Sequence, residues 1–147
     1  SKLILMGSHE NHLDPLLPHT EELIKTNNQI FAIGVKKDIR PYVAISHVLT
    51  FPSYREGFPN VVLQASCMNL PCIVSNINGC NEIIEQNVNG LIIPVKNEIA
   101  LQDAMQFMID NPEKRNEMSK HSRTRIEERY KQEFVWNEML NLYISLN

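Results

Sequence analysis

Seven consecutive residues, Ser53-Tyr54-Arg55-Glu56-Gly57-Phe58-Pro59, set a carboxylate, a guanidinium, two aromatic rings, a glycine and a proline between two apolar runs. Residues 48–51 before them are apolar and close on Pro52, as a buried strand would. Behind them Asn60 is competent to cap a helix, and Val61, Val62, Ala65 and Met68 recur at helical spacing. A loop that leaves the carboxyl end of a strand and feeds a helix is where open α/β sheets take ligands. First-turn N–H groups point outward there, and the helix dipole favours an anion, typically phosphate. The chemistry on offer is anion binding, with Glu56 beside the anion. Taken alone, Glu56 also reads as a solvated carboxylate pairing with Arg55 or a nearby lysine, and Gly57 as a residue that merely permits a turn. Asn60 and Gln64, one helical turn apart, share a face and give the helix a polar stripe.

The elements that must position this loop can be read along the chain. Residues 3–6 form a strand that stops at Gly7-Ser8-His9-Glu10, and a loop with Asp14-Pro15 and Pro18 follows. Thr20 is expected to cap a helix over residues 21–25, and residues 29–33 form a strand ending on Gly34. Asp38 is expected to cap a helix over 39–46 with Tyr42, Val43 and Ile45 available for burial. After the central loop and the helix from Asn60, Leu70-Pro71 ends that helix and residues 72–75 make another strand. Asn78-Gly79 turns into a short helix over 81–86, and Asn89-Gly90 turns into a strand over 91–93. From there the pattern is helical. Asn97 caps 98–110, Asn111-Pro112 opens a helix to about Tyr130, and 131–146 forms the last, with Val135, Met139, Leu142 and Leu146 on one face. Phe107, Trp136 and Tyr143 read as core aromatics. The alternation predicts an α/β fold with a doubly wound parallel sheet closed by C-terminal helices.

Composition sets the outer bounds. A chain of 147 residues, 43% hydrophobic and 21% charged, suits one domain with one core. A net charge of −3 argues against a nucleic-acid partner. No apolar run approaches the ~20 residues a membrane span needs, and no signal peptide opens the chain. A chain that starts directly on a strand is expected to be a piece of a longer protein. Cys67, Cys72 and Cys80 form an odd set without a C-x-x-C pair, so all three are expected to be buried, reduced thiols. The five histidines, among them His9 and His12, show no ligand spacing, and there is no Asp-x-Asp pair; no metal is expected. No G-x-G-x-x-G follows a strand, which disfavours a dinucleotide oxidoreductase.

PSYREGFPNVVLQA followed by NLPCIVSNINGCNEII resembles the donor-binding signature of retaining glycosyltransferases of family 4, which have the two-domain GT-B fold. The resemblance covers essentially the whole chain and implies that residues 1–147 are a Rossmann-like nucleotide-sugar donor-binding domain, the C-terminal half of such an enzyme. Residues 3–6 would then be its second strand. The preceding strand and helix, which usually bring an arginine and a lysine to the diphosphate, and the N-terminal acceptor domain would lie outside this chain.

The resemblance also assigns roles. Glu56 would meet hydroxyls of the donor sugar near the reacting carbon and orient it, without acting as nucleophile. Gly57, Phe58, Pro59, Asn60 and Val61 would wrap the diphosphate; Pro59 has no N–H, so Phe58 and the amides from Asn60 onward are the donors. Gln64 stands where the family has a second glutamate that binds the ribose. A carboxamide offers one acceptor oxygen and lacks the charge, so ribose contact should be weaker. Gly34, Val35 and Lys36 would line the base pocket, although Lys36 and Lys37 also read as a solvated pair. Asn78, Gly79 and Glu82 match the turn after the next strand, where Glu82 can brace the fold. The implied reaction moves a sugar from a nucleotide-diphosphate sugar, UDP-sugars being the commoner donors and GDP-mannose open. The implied acceptor is a glycan or lipid-linked oligosaccharide of bacterial capsule, O-antigen or envelope synthesis, and the implied location is the cytoplasm, at the inner membrane face. The isolated domain is expected to bind nucleotide weakly and turn over nothing. Two alternatives remain: a non-catalytic nucleotide- or sugar-binding module, and a GT-B nucleotide-sugar epimerase.

Overall fold

The structure, a computed structural model, describes residues 1–8 and 15–146. The expected loop through Asp14, together with His9 and His12, therefore falls outside the described residues. Two compact units follow one another, Ser1–Ile39 and Arg40–Asn147.

In the first unit, strand β1 (Leu3–Met6), helix α1 (Pro18–Thr26) and strand β2 (Ile30–Gly34) follow in order. The strands pair in parallel, Leu3 opposite Ile30 and Met6 opposite Gly34, with an irregularity between Leu5 and Met6. Thr20 does not cap α1. Proline 18 takes the first helical position, where its fixed φ and missing N–H cost nothing, and the Thr20 and Glu21 amides donate to the Leu17 carbonyl. None of the described side chains of this unit is fully buried.

The second unit holds the core. Helix α2 (Arg40–Ala44) is shorter than expected and leaves Ile45 exposed beyond its end, while Val43 is buried. Strands β3 (Leu49–Phe51), β4 (Cys72–Ser75) and β5 (Gly90–Ile93) form a parallel three-stranded sheet with β4 in the middle. Thr50 lies opposite Ile73, and Ile73 opposite Leu91. Every residue of β4 is buried, as a central parallel strand covered on both faces requires. Ile73 joins Leu91 and Ile93 of β5, Ala104 and Met108 of α5 (Glu98–Asp110) and Met118 of α6 (Pro112–Arg129) in one cluster. Its neighbour Cys72 points to the opposite face, with Sγ 3.7 Å from Ser66 Oγ of α3 (Asn60–Cys67). Gly90 is required at the β4 contact: a Cβ there would collide with the Cys72 carbonyl.

Helix ends show where proline overrides the expected cap. Asn60 is the first residue of α3, not its cap; Pro59 takes that place, and its carbonyl accepts from Val62 and Leu63. Helix α4 (Cys80–Ile83) is shorter than expected. Asn89, fully buried, closes the turn after it: Oδ1 accepts from the Glu85 amide at 2.7 Å and Nδ2 donates to the Ile83 carbonyl at 3.1 Å. The Asn97 cap holds, its Oδ1 accepting from the Ala100 amide at 2.9 Å. Asn111 precedes Pro112 as expected, but its side chain donates back to the Phe107 carbonyl and closes α5 instead.

Two expectations about burial fail. The last helix, α7 (Gln132–Ser145), buries no side chain: Trp136 is 57% and Tyr143 63% exposed, and Val135, Met139, Leu142 and Leu146 are exposed as well. Phe107 on α5 is 37% exposed. Apolar residues run round α7 rather than along one stripe, and α5 and α6 already close the core it would have joined. Cys72 and Cys80 are buried thiols, but Cys67, on the outer side of α3, is exposed.

Candidate functional site

The loop 52–59 leaves the carboxyl end of β3 and enters α3, as the strand–helix order requires. Glu56 is half-buried in it. No ion pair joins it to Arg55 among the described residues. Its partner is neutral: Ser53 Oγ donates to Glu56 Oε1 at 2.8 Å, fixing one carboxylate oxygen and leaving the other available. The charge of Glu56 also reaches Cys80 at the head of α4. Burial and, after it, that charge push the Cys80 thiol up to about 11.

The backbone after Glu56 is pressed against a second turn. Gly79 has φ +77°, a conformation that favours glycine, and a Cβ on it would collide with the Gly57 carbonyl and crowd Pro59 Cδ at 3.0 Å. Gly57 itself lies outside the left-handed region. The demanding glycine is therefore Gly79, on which the Gly57–Pro59 backbone rests. Glu82 braces this turn, its Oε1 accepting from the Gly79 amide at 3.2 Å. Asn78 and Asn81 flank the turn, both exposed.

At the head of α3, Val62 and Leu63 donate to the Pro59 carbonyl at 3.1 and 3.3 Å. The amides of Phe58, Asn60 and Val61 have no partner among the described residues and are free to receive an anion, which the helix dipole favours. Gln64 lies one turn further along, exposed like Asn60. The Phe58 ring, 42% exposed, meets the ring of Tyr130 edge-to-face with centroids 5.3 Å apart. On another side of the loop, Lys96 Nζ lies 5.3 Å over the Tyr54 ring. Lys96 comes from the turn between β5 and α5, where its φ is +55°.

Glu56, Gly57, Phe58, Pro59, Asn60, Val61 and Gln64 are thus brought together in the second unit. Gly34, Val35 and Lys36 belong to the first. There Gly34, with φ +67°, ends β2 and accepts from the Gly7 amide at 3.2 Å. It borders a crevice of about 120 Å³ at the carboxyl ends of β1 and β2, with Leu5, Met6, Gly7, Ser8 and Ala32. Val35 is 72% exposed, and Lys36 and Lys37 are exposed with it. Among the described residues no three His, Cys, Asp or Glu side chains gather as a metal site would need, and no helix is long and apolar enough to cross a membrane.

Two contributors had no role in the sequence reading. Ser53 carried a usable signal, a hydroxyl three positions before the loop carboxylate. Tyr130 carried none, because its partners lie 48 residues and more away.

Residues 1–125 match the family described as glycosyl transferases group 1. The chain belongs to that family. Among relatives of this group 1 chain, the capsular polysaccharide biosynthesis glycosyltransferase CapM of Staphylococcus aureus is 26% identical over 97% of the chain and 37% of its own length. The UDP-Gal:alpha-D-GlcNAc-diphosphoundecaprenol alpha-1,3-galactosyltransferase of Escherichia coli is 34% identical over 67% of the chain and 25% of its own length. Anabaena HepE, solved in complex with UDP, superposes with a TM-score of 0.86 at 18% identity over 98% of the chain and 41% of its own. The group 1 chain thus spans well under half the length of these relatives. Its fold is that of the Rossmann-like half of GT-B glycosyltransferases.

Proposed function

We propose that this chain is the donor-binding domain of a retaining, family 4 glycosyltransferase that uses a nucleotide-diphosphate sugar, a UDP-sugar in our reading. The observation that carries this is the set of free amides of Phe58, Asn60 and Val61 beside a carboxylate already oriented by Ser53. The amides take the diphosphate and stabilise the charge that develops as it leaves. Glu56 takes hydroxyls of the donor sugar with its remaining acceptor capacity and holds the reacting carbon toward the acceptor. Gln64 accepts a hydrogen bond from one ribose hydroxyl. No metal takes part: backbone dipoles and cations supplied outside this chain neutralise the diphosphate.

The parent enzyme extends a lipid-linked glycan at the inner face of the cytoplasmic membrane, in capsule, O-antigen or envelope synthesis. In support, CapM is named for capsular polysaccharide and the Escherichia coli relative for a UDP-Gal donor and a diphosphoundecaprenol acceptor. Sugar transfer needs a cleft between two domains, so this chain alone binds donor without turnover. Gln64 in place of the family's acid favours a second reading, a nucleotide-binding module without catalysis.

The test is titration of the chain with UDP, GDP and ADP by calorimetry and amide-shift mapping, repeated with Glu56→Ala and Gln64→Ala. One nucleotide should shift Phe58, Asn60, Val61 and Gln64. Glu56→Ala should spare nucleotide binding and weaken binding of the nucleotide sugar. Silence with all three nucleotides at millimolar concentration sinks the donor-domain reading.

A further inference from the structure

Tyr130 lies beyond the stretch matched by the family, at the end of α6, yet it touches two pieces of the candidate site at once. Its hydroxyl donates to the Glu82 carbonyl at 2.7 Å, on the short helix whose Glu82 side chain braces the Gly79 turn. Its ring meets the Phe58 ring edge-to-face, at 63° between planes. One helical turn back, the Tyr130 amide bonds to the carbonyl of Ile126, whose side chain is buried. The Arg129 guanidinium lies 5.7 Å over the Tyr130 ring.

We infer that Tyr130 is a positioning residue for the diphosphate: it holds the Phe58 ring so that the Phe58, Asn60 and Val61 amides keep one common orientation. This rests on the donor-domain reading above. The physical argument starts from Phe58. A ring so exposed has little burial to fix it; rotation of the Phe58 backbone must swing that ring, so a partner that holds the ring resists the rotation and steadies the amide. Against Gly79 the loop has a floor but no side wall, since Gly79 offers no side chain. Tyr130 is that wall. The hydroxyl bond to α4 fixes the Tyr130 ring, and the edge-to-face contact passes that order to Phe58. The floor and the wall share α4, because the Glu82 side chain serves one and the Glu82 carbonyl the other. Loss of Tyr130 should therefore disturb diphosphate recognition while leaving binding of the nucleoside, which lacks the groups those three amides receive, unaffected.

The experiment compares wild type, Tyr130→Phe and Tyr130→Leu in the full 147-residue chain. Each is titrated with inorganic diphosphate, UDP and uridine, with GDP and guanosine as a second pair, following amide shifts. An aromatic pair and a hydrogen bond of these kinds together correspond to about tenfold in affinity. Tyr130→Leu should weaken inorganic diphosphate and the nucleoside diphosphate by about that factor and leave the nucleoside within twofold. Tyr130→Phe, which keeps the ring but loses the hydroxyl bond to α4, should recover only about half of the loss, leaving diphosphate about threefold weaker than in wild type. Equal weakening of nucleoside and diphosphate would make Tyr130 merely structural and overturn the inference, as would unchanged diphosphate binding in folded Tyr130→Leu. If Tyr130→Leu gives no native spectrum, Tyr130→Phe decides, and wild-type affinity for diphosphate there overturns the inference. Failure of wild type to bind any of the five probes would instead overturn the donor-domain reading, and this inference with it.

Discussion

Strand β4 and helix α7 are both apolar stretches of the same unit, and they end in opposite environments. Every residue of β4 is buried, while α7 buries none of its side chains. The difference is not in hydrophobicity but in partners. β4 is bonded on both edges by parallel neighbours and covered by α3 on one face and α5 with α6 on the other. α7 follows a core that α5 and α6 have already closed. Burial is a property of the company an element keeps, and the candidate site depends on the better-placed of the two, since its floor, the Gly79 turn, is the continuation of β4.

The largest expected effect breaks the β4 side. Ile73→Ala removes a fully buried side chain at the centre of the core cluster and should destabilise the fold by about 2–5 kcal/mol, the usual cost of a transfer loss plus a cavity. Urea denaturation followed by circular dichroism measures it. A loss below about 1 kcal/mol would mean the cluster repacks freely and that β4 is no more demanding than a surface strand.

Next in size is a pH effect held by the same strand. Burial pushes the Cys72 thiol up to about 12 from its ordinary value of 9.0. In the unfolded chain this thiol ionises above pH 9, while in the fold it stays neutral, so the unfolded state binds fewer protons and stability falls as pH rises from 9 toward 12. The slope should be about 1 kcal/mol per pH unit for this group. Cys80, raised to about 11, adds a second contribution in the range below its own value. Denaturation midpoints at pH 8 and pH 10 for wild type and Cys72→Ala isolate the Cys72 share. If Cys72→Ala leaves the pH dependence of stability unchanged, the thiol is not sealed in the way β4 implies.

How much of this was legible beforehand follows the same division. Parallel strands announce themselves by an unbroken apolar run; residues 3–6, 48–51 and 72–75 were readable for that reason, although of the three strands only β4 is buried throughout. Asn97 was readable because a cap acts within one turn of the chain. Thr20 and Asn60 misled because a proline one or two residues earlier decides the helix start by backbone geometry alone, ahead of any side-chain bond. Within the candidate site, the anion-receiving loop was visible as a local strand–loop–helix unit. Its support was not. Gly79 meets Gly57 across more than twenty residues, and Tyr130 meets Phe58 across more than seventy, distances over which no periodicity carries information. The aromatic residues of α7 misled in a different way: helical spacing reports which residues share a face, never whether anything lies against it.

The smallest expected effect tests the α7 side. Trp136 is the chain's single tryptophan and the bulkiest side chain on α7. A buried tryptophan cut to alanine costs about 3–5 kcal/mol, whereas an exposed one should stay within about 0.5 kcal/mol. Trp136→Ala in this chain should therefore leave the denaturation midpoint almost unmoved. The wild-type indole should emit as a solvated one, with acrylamide quenching it readily in the folded protein. A midpoint shift approaching that of Ile73→Ala, or an indole shielded from quencher, would place α7 against a surface in solution and erase the contrast with β4.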